Sequence, residues 1–138
     1  MGRILAIDYG KKRTGLAVTD PLRIIATGLT TVETPKLFPW LKAYMAKETV
    51  DLILIGLPTN WDDSDTNATP LVRQAINRLR KEFPHMPVET ADERYTSKMA
   101  TQSMLESGLR KKDRRNKALV DEIAATILLQ DYLRSHTV

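Results

Sequence analysis

A continuous apolar run, Ile4-Leu5-Ala6-Ile7, is the feature that most constrains the fold of this 138-residue chain. An uninterrupted aliphatic run of this length is typical of a strand that is buried on both faces. The run ends at Asp8, and Gly10 and Lys11-Lys12-Arg13 follow at once. A carboxylate at the end of a buried strand is costly to desolvate unless it finds a cation, although a turn-initiating Asp is the commoner role. The run therefore predicts a central strand and a candidate functional carboxylate.

Four further segments are predicted to be strands. Gly15–Thr19 follows a short turn and is expected to pair antiparallel with the first strand. Leu52–Gly56 is a second continuous apolar run, reached through a helix, and is expected to lie parallel to the first. The other two are an edge strand over Ala26–Val32 and a short strand over Pro87–Asp92.

Apolar residues at helical spacing, together with capping and breaking residues, predict four helices. Pro35 precedes the first helix, Thr69 and Pro70 begin the second, and Gly108 closes the third. The predicted helices span Leu37–Glu48, Thr69–Phe83, Thr96 or Ser97 to Glu106, and Lys117–Arg134.

This order of elements predicts one α/β domain over residues 1–138, with a ribonuclease-H-like mixed five-stranded sheet flanked by helices. The first three strands are expected to be antiparallel and the later ones parallel. In open α/β sheets, functional sites form at the carboxyl ends of the parallel strands. Asp8, the Thr59–Asn60 loop and Glu93 are all expected at that edge.

Asp121, inside the last predicted helix, is the third candidate carboxylate. At about 100° per residue, the buried stripe is predicted to be Val120, Ile123, Ala124 and Ile127. Asp121 then lies at the margin of that stripe and Glu122 points further towards solvent. Taken alone, Asp121 fits a salt bridge at a helix margin better than a functional role. Together with Asp8 and Glu93 it forms an oxygen-ligand set suited to Mg²⁺, which could act on a phosphodiester.

Basic residues adjoin these carboxylates and are candidates for binding phosphate groups. Lys11, Lys12 and Arg13 follow Asp8, and Arg94 follows Glu93. The segment Arg110–Lys117 holds six basic residues and one acidic, a local charge of +5 in a chain of net charge +4. Such a concentration favours contact with a polyanion, although a solvated loop explains it equally well. The candidates in this segment are Lys111, Lys112, Arg114, Arg115 and Lys117.

The composition narrows the class of protein. The chain has no cysteine, which excludes disulfides and thiolate metal sites and fits a reducing compartment. No apolar run approaches the length of a membrane span, and the N-terminus leads directly into the first strand. We therefore expect a cytoplasmic protein with no membrane partner.

Four motifs in this order resemble the YqgF family, bacterial ribonuclease-H-like proteins described as Holliday junction resolvases and as nucleases that mature the 5′ end of pre-16S rRNA. The resemblance covers nearly the whole chain. The motifs are Asp8–Asp20, Gly56-Leu57-Pro58, Asp92–Ser97 and Val120–Ala125. One departure is Asp62-Asp63, where the family usually places Asp-Gly.

The resemblance implies that Asp8, Glu93 and Asp121 are the acidic metal-binding triad of a nuclease that uses Mg²⁺, with Mn²⁺ as an alternative. It further implies a role in ribosome biogenesis, with pre-rRNA or a ribosomal precursor particle as partner. Cleavage of branched DNA is the alternative, and a non-catalytic RNA-binding assembly factor is another. The stretch from Ile7 to Gly15 also resembles the phosphate-binding hairpin of actin-like sugar kinases, but those enzymes need a second lobe that 138 residues cannot supply.

Overall fold

A computed structural model describes residues 2–57, 69–92 and 117–136. Within these ranges it describes only the backbone of residues 92, 117–121 and 135–136. The predicted helix from Thr96 or Ser97 to Glu106 and the loop that contains Asp62-Asp63 lie outside these ranges. None of the described helices is long and apolar enough to cross a bilayer. A single domain over residues 1–138 stays a prediction.

Five strands form one mixed sheet in the order β3-β2-β1-β4-β5. The strand β1 pairs antiparallel with β2 and parallel with β4, while β3 extends the antiparallel side and β5 the parallel side. The predicted sheet, including its edge strand over residues 26–32, is therefore confirmed. The bounds are Arg3–Tyr9 (β1), Arg13–Thr19 (β2), Ala26–Glu33 (β3), Val50–Leu57 (β4) and Val88–Asp92 (β5).

Three helices are described, each within two residues of its predicted bounds. They are Leu37–Lys47 (α1), Thr69–Glu82 (α2) and Lys117–His136 (α3). A 3-10 turn over Thr34–Lys36 leads into α1, and its Pro35 has the backbone angle that the start of a helix requires. The helices lie on both faces of the sheet, with α1 and α2 on one face and α3 on the other.

The apolar runs fill two cores because successive strand residues point to opposite faces. Leu5 and Ile7 of β1 belong to the core beneath α1 and α2. Ile4 and Ala6 belong to the core beneath α3, where Leu129 is fully buried. Burial of each large aliphatic side chain contributes about 1.5–3 kcal/mol, so the central strand stabilises both layers.

The buried face of α3 differs from the prediction. Ala124, Ala125, Leu128 and Leu129 are buried, whereas Ile123 and Ile127 are only partly buried. The predicted stripe is therefore wrong by about one residue around the helix. The helix presents its small Ala124-Ala125 pair to the sheet, which allows close approach, and the bulkier isoleucines lie at the margins.

Glu122 is not a solvated helix residue as predicted. It is half-buried, and its Oε1 lies 2.6 Å from the position that a Cβ at Gly28 would occupy. The absence of a side chain on β3 at this point lets α3 pack directly over the edge strand. The side chain of Glu122 therefore covers the backbone of β3.

Candidate active site at the carboxyl edge of the sheet

Asp8 lies one residue before the end of β1 and is half-buried. It follows Ile4 and Ala6 at the two-residue spacing of a strand, so its side chain belongs to the sheet face covered by α3. Its partner across the hairpin is Gly15 of β2. The neighbour on β2 thus has no side chain to fill the space beside the carboxylate, as is common where a strand must leave room for another group.

The parallel strands end beside Asp8. Ile7 is in register with Ile55, and Gly56 is in register with Ala91. The carboxyl ends of β1, β4 and β5 therefore meet at one edge, as the strand order predicted. Glu93 follows the last residue of β5 in sequence but lies outside the described residues, so its position in the site stays a prediction.

The helix α3 brings the third predicted carboxylate to this face of the sheet. Its backbone includes Asp121, which precedes the buried Ala125 and Leu128 by four and seven residues. Residues at these spacings lie on one line of a helix, and this line faces the sheet. The side chain of Asp121 is outside the description, so its participation also stays a prediction.

Contacts at both margins hold α3 in place over the sheet. Glu122 lies against Gly28 of β3, and the hydroxyl of Tyr132 donates a hydrogen bond to Glu89 of β5. Burial, reinforced by this bond and by the negative charge of Glu89, raises the pKa of Tyr132 above its ordinary value of 10.0. The helix is therefore fixed across the full width of the sheet.

The turn after Asp8 is held by two linked, partly buried hydroxyls that the sequence did not reveal. The Thr34 hydroxyl donates to the Gly10 carbonyl at 2.6 Å. Because that uses its one proton, the Thr14 hydroxyl donates to Thr34 Oγ1, 3.0 Å away. A Cβ at Gly10 would lie 2.3 Å from the carbonyl oxygen of Arg13, so this turn requires glycine. The result is a fixed hairpin beside the candidate site.

The fixed hairpin presents three of the predicted phosphate-binding residues. Lys11 and Lys12 are exposed, and Arg13 is half-buried at the start of β2. The remaining predicted cations lie outside the description, except that the backbone of Lys117 begins α3. Those outside are Arg94, Lys111, Lys112, Arg114 and Arg115.

The chemistry of the predicted ligand set fits a hard divalent cation, since all three side chains are carboxylates. Within residues 2–57, 69–92 and 117–136, no three Asp, Glu, His or Cys side chains could together hold a metal ion. This absence says nothing of the predicted set, because Glu93 and the side chain of Asp121 are not among the described parts of the chain. The three-carboxylate site is therefore still a hypothesis.

Comparison with known proteins identifies the family. A family model described as RuvX, Holliday junction resolvase, matches residues 2–135. The chain belongs to the RuvX family. RuvX and YqgF are names of the same family, so the match confirms the resemblance seen in the sequence. It also confirms the predicted nuclease class, which acts on nucleic acid and depends on divalent metal ions.

Two relatives match almost end to end, and both are provisionally named pre-16S rRNA nuclease. The protein from Christiangramia forsetii is 54% identical over 133 residues, which cover 96% of this chain and 98% of the relative. The protein from Phocaeicola vulgatus is 56% identical over 135 residues, which cover 98% and 97%. The matches therefore span nearly all of this RuvX-family chain and nearly all of each relative.

The fold resembles that of a protein of known structure. RuvC of Thermus thermophilus, in complex with a Holliday junction substrate, superposes with a TM-score of 0.58 over 100% of this chain and 98% of that one. The sequences are only 16% identical, so the likeness concerns the fold. It confirms the predicted ribonuclease-H-like architecture.

Proposed function

We propose that this RuvX-family protein is a metal-dependent endonuclease that processes the 5′ end of pre-16S rRNA. The observation that carries the proposal is the position of Asp8, which lies one residue before the end of the central strand on the face covered by α3. That helix includes Asp121, and Glu93 directly follows the neighbouring parallel strand β5. The names of the two relatives support pre-16S rRNA as the substrate.

Asp8, Glu93 and Asp121 are the residues that would hold Mg²⁺, with Mn²⁺ as an alternative. In the sequence, Glu93 follows two positions after Ala91, which packs in the core beneath α3. When bound, a divalent ion in such a site acidifies water and neutralises charge on the phosphodiester. The three carboxylates would hold and orient that ion.

The fixed hairpin would position the substrate. Lys11 and Lys12 are exposed three and four residues beyond Asp8, on a turn held by the hydrogen bond from Thr34 to Gly10. Cations on a rigid turn lose little conformational entropy when they bind phosphate, and they set register without reading sequence. Arg94 and the Arg110–Lys117 segment are further candidates for this role. The proposed protein is cytoplasmic and binds its RNA within a ribosomal precursor particle.

Cleavage of a four-way DNA junction is the second candidate function. It is favoured by the description of the family as Holliday junction resolvase and by the RuvC-like fold. The same carboxylates and cations would serve either substrate, because both present phosphodiesters in duplex arms.

A side-by-side cleavage assay tests these alternatives. Wild-type protein is incubated with a pre-16S-like RNA and a four-way DNA junction, in Mg²⁺, in Mn²⁺ and with chelator. We expect metal-dependent cleavage of the RNA, and at least about 100-fold loss in Asp8→Asn, Glu93→Gln and Asp121→Asn, since a metal ion supplies several kcal/mol of transition-state stabilisation. Cleavage of the junction alone would instead establish the second function.

The matched control is Glu122→Gln, which removes a carboxylate next to Asp121 but preserves the shape that packs on Gly28. This variant should retain activity. Equal damage from Glu122→Gln and Asp121→Asn would show that the assignment within α3 is wrong. Binding of RNA without any cleavage would make the protein an assembly factor and overturn the proposal.

A further inference from the structure

The connection between β2 and β3 exposes three large aliphatic side chains. Leu22, Ile24 and Ile25 are 63%, 68% and 62% exposed, whereas the other large aliphatic side chains that the structure describes are buried or half-buried. Single exposed aliphatic residues are normal on a protein surface, but a group of them marks an interaction site. We call residues 20–25 the apolar turn.

Hydrogen bonds to Asp20 fix the backbone of the apolar turn. One carboxylate oxygen of Asp20, Oδ1, accepts from the N–H groups of Ile24 and Ile25, both at 2.7 Å. The other, Oδ2, accepts from the N–H of Leu22 at 3.1 Å. The N–H of Asp20 donates to the Ile25 carbonyl at 3.2 Å and closes the turn. Aliphatic side chains on a fixed turn lose little conformational entropy when a partner binds.

Arg23 attaches the apolar turn to the amino ends of two strands. Its backbone has a φ of 59°, a left-handed conformation that is uncommon outside glycine. Its Nε donates to the Gly2 carbonyl at 3.2 Å, and its Nη2 lies 3.3 Å from Asp51 Oδ2. From Gly2 to Asp8 the chain extends roughly 20 Å at 3.3 Å per residue. The apolar turn therefore lies at the end of the sheet opposite the candidate active site.

A hollow of about 380 Å³ lies beside the apolar turn, between it and the last turns of α3. Its volume is within the range of about 300–1,000 Å³ that is usual for binding pockets. Arg134 is the charged residue among the described residues of its lining, and within the described part of the chain it forms no ion pair. The described lining consists of Ile24, Ile25, Ala26, Gln130, Leu133 and Arg134.

The charges around the apolar turn disfavour a polyanion as its partner. Asp20 and Asp51 flank the turn, and Arg23, the basic residue of the turn, is paired with Asp51. Two acids and one base give a local charge that repels a phosphate backbone or an anionic bilayer. The turn also offers few backbone donors to a phosphate, because three of its N–H groups already bond to Asp20.

The size of the surface favours a short segment over a second copy of the chain. Three aliphatic side chains at this exposure present on the order of 300 Å² of apolar surface, below the roughly 800 Å² per partner of a standard interface. An apolar segment would cover Ile24 and Ile25, and an acidic residue within it would complement Arg134 at the rim of the hollow.

We propose that the apolar turn and the hollow beside it dock an apolar, acid-bearing segment of a protein in the ribosomal precursor particle. The inference rests on the proposed function for the choice of that particle. Docking at this end of the sheet leaves the edge near Asp8 open to RNA. Its effect is on affinity for the particle, with no effect on cleavage of protein-free RNA.

The test compares precursor particles of the small ribosomal subunit with the RNA extracted from the same particles. Binding is measured with chelator and cleavage with Mg²⁺. Ile24→Gln/Ile25→Gln and Arg134→Glu should each weaken binding to the particle by at least about tenfold, as expected for the central residues of an interface. Arg134→Lys keeps the charge and should keep the affinity. All variants should bind and cleave the extracted RNA like the wild type.

The matched control is Ala43→Gln/Ala46→Gln, which places the same two side chains at exposed positions of α1, on the other face of the sheet. It should bind the particle like the wild type, and unchanged thermal unfolding would verify that every variant is folded. Wild-type affinity of Ile24→Gln/Ile25→Gln for the particle, or equal weakening on the extracted RNA, would overturn the inference and leave the proposed function standing. A tenfold loss on the particle with no cleavage of RNA by the wild type would overturn the proposed function alone.

Two further measurements distinguish other occupants of the apolar turn. Light scattering would show a second copy if the wild type had the mass of two chains and Ile24→Gln/Ile25→Gln the mass of one. Sedimentation with vesicles of anionic phospholipid would show a lipid surface if the wild type bound them and the same variant did not. Either result would overturn the inference.

Discussion

A substitution at Gly28 tests how α3 packs on the sheet, and therefore where the backbone of Asp121 lies. A Cβ at position 28 would lie 2.6 Å from Glu122 Oε1, 3.0 Å from Glu122 Cγ and 3.1 Å from Thr126 Oγ1. Overpacking of this kind costs about 1–3 kcal/mol. Alanine is favoured over glycine in a strand by about 0.5–1 kcal/mol, which offsets part of the loss. Gly28→Ala should therefore destabilise the protein by roughly 0.5–2 kcal/mol.

Truncating the opposing side chain should reverse the effect. Glu122→Ala removes the two closest atoms, so the double variant should regain what Gly28→Ala lost. The expected coupling free energy is about 1–2 kcal/mol, within the usual range for residues in contact. Glu122→Gln is the matched control, because it keeps both the shape and the clash and should not rescue Gly28→Ala.

The assay is thermal and denaturant unfolding of the four proteins of the cycle, followed by circular dichroism. At about 4 °C per kcal/mol, the loss in Gly28→Ala corresponds to a Tm lower by roughly 2–8 °C. Additive effects, within about 0.3–0.5 kcal/mol, would refute the reasoning, since they would mean that α3 is not held by the packing at Gly28.

Two further predictions concern the turns at opposite edges of the sheet. Thr34→Val leaves the Gly10 carbonyl without its donor and should lower the free energy of unfolding by about 1–3 kcal/mol. It should also weaken phosphate binding by the hairpin. Thr34→Ser keeps the hydroxyl and should preserve both the stability and the binding. The backbone N–H groups of Ile25, Ile24 and Leu22 hold the pKa of Asp20 below its usual 3.8, so its contribution to stability is present above 3.8 and is lost as the pH falls through the lower folded value. Unfolding measured from pH 6 to pH 2 should show a smaller acid-induced loss for Asp20→Asn, and equal losses would contradict this account.

Two features of the fold could be predicted from the sequence because their signals are local. The uninterrupted run from Ile4 to Ile7 required a strand covered on both faces, and the structure covers it with helices on both sides. The residues between Asp8 and Gly15 required a tight hairpin, and its antiparallel register confirms the prediction. The family could also be predicted, since its motifs are specific and cover nearly the whole chain.

The orientation of α3 could not be predicted in the same way. Helical periodicity at about 100° per residue favoured a buried face of Val120, Ile123, Ala124 and Ile127. The helix instead presents Ala124, Ala125, Leu128 and Leu129, and turns Glu122 onto Gly28. Periodicity reports which residues could be buried, whereas the surface of the sheet decides which of them fit.

The sequence by itself determined the strands, their order of pairing and an aspartate at the end of the central strand. Only the tertiary structure decided that this aspartate shares a sheet face with α3, and that the turn beside it is fixed by Thr14 and Thr34. Both depend on partners distant in sequence, Ala125 on the last helix for the first and Thr34 directly after β3 for the second. Local composition determines which backbone conformations are favourable, but the free energy that selects one arrangement comes from packing between segments that no local pattern records.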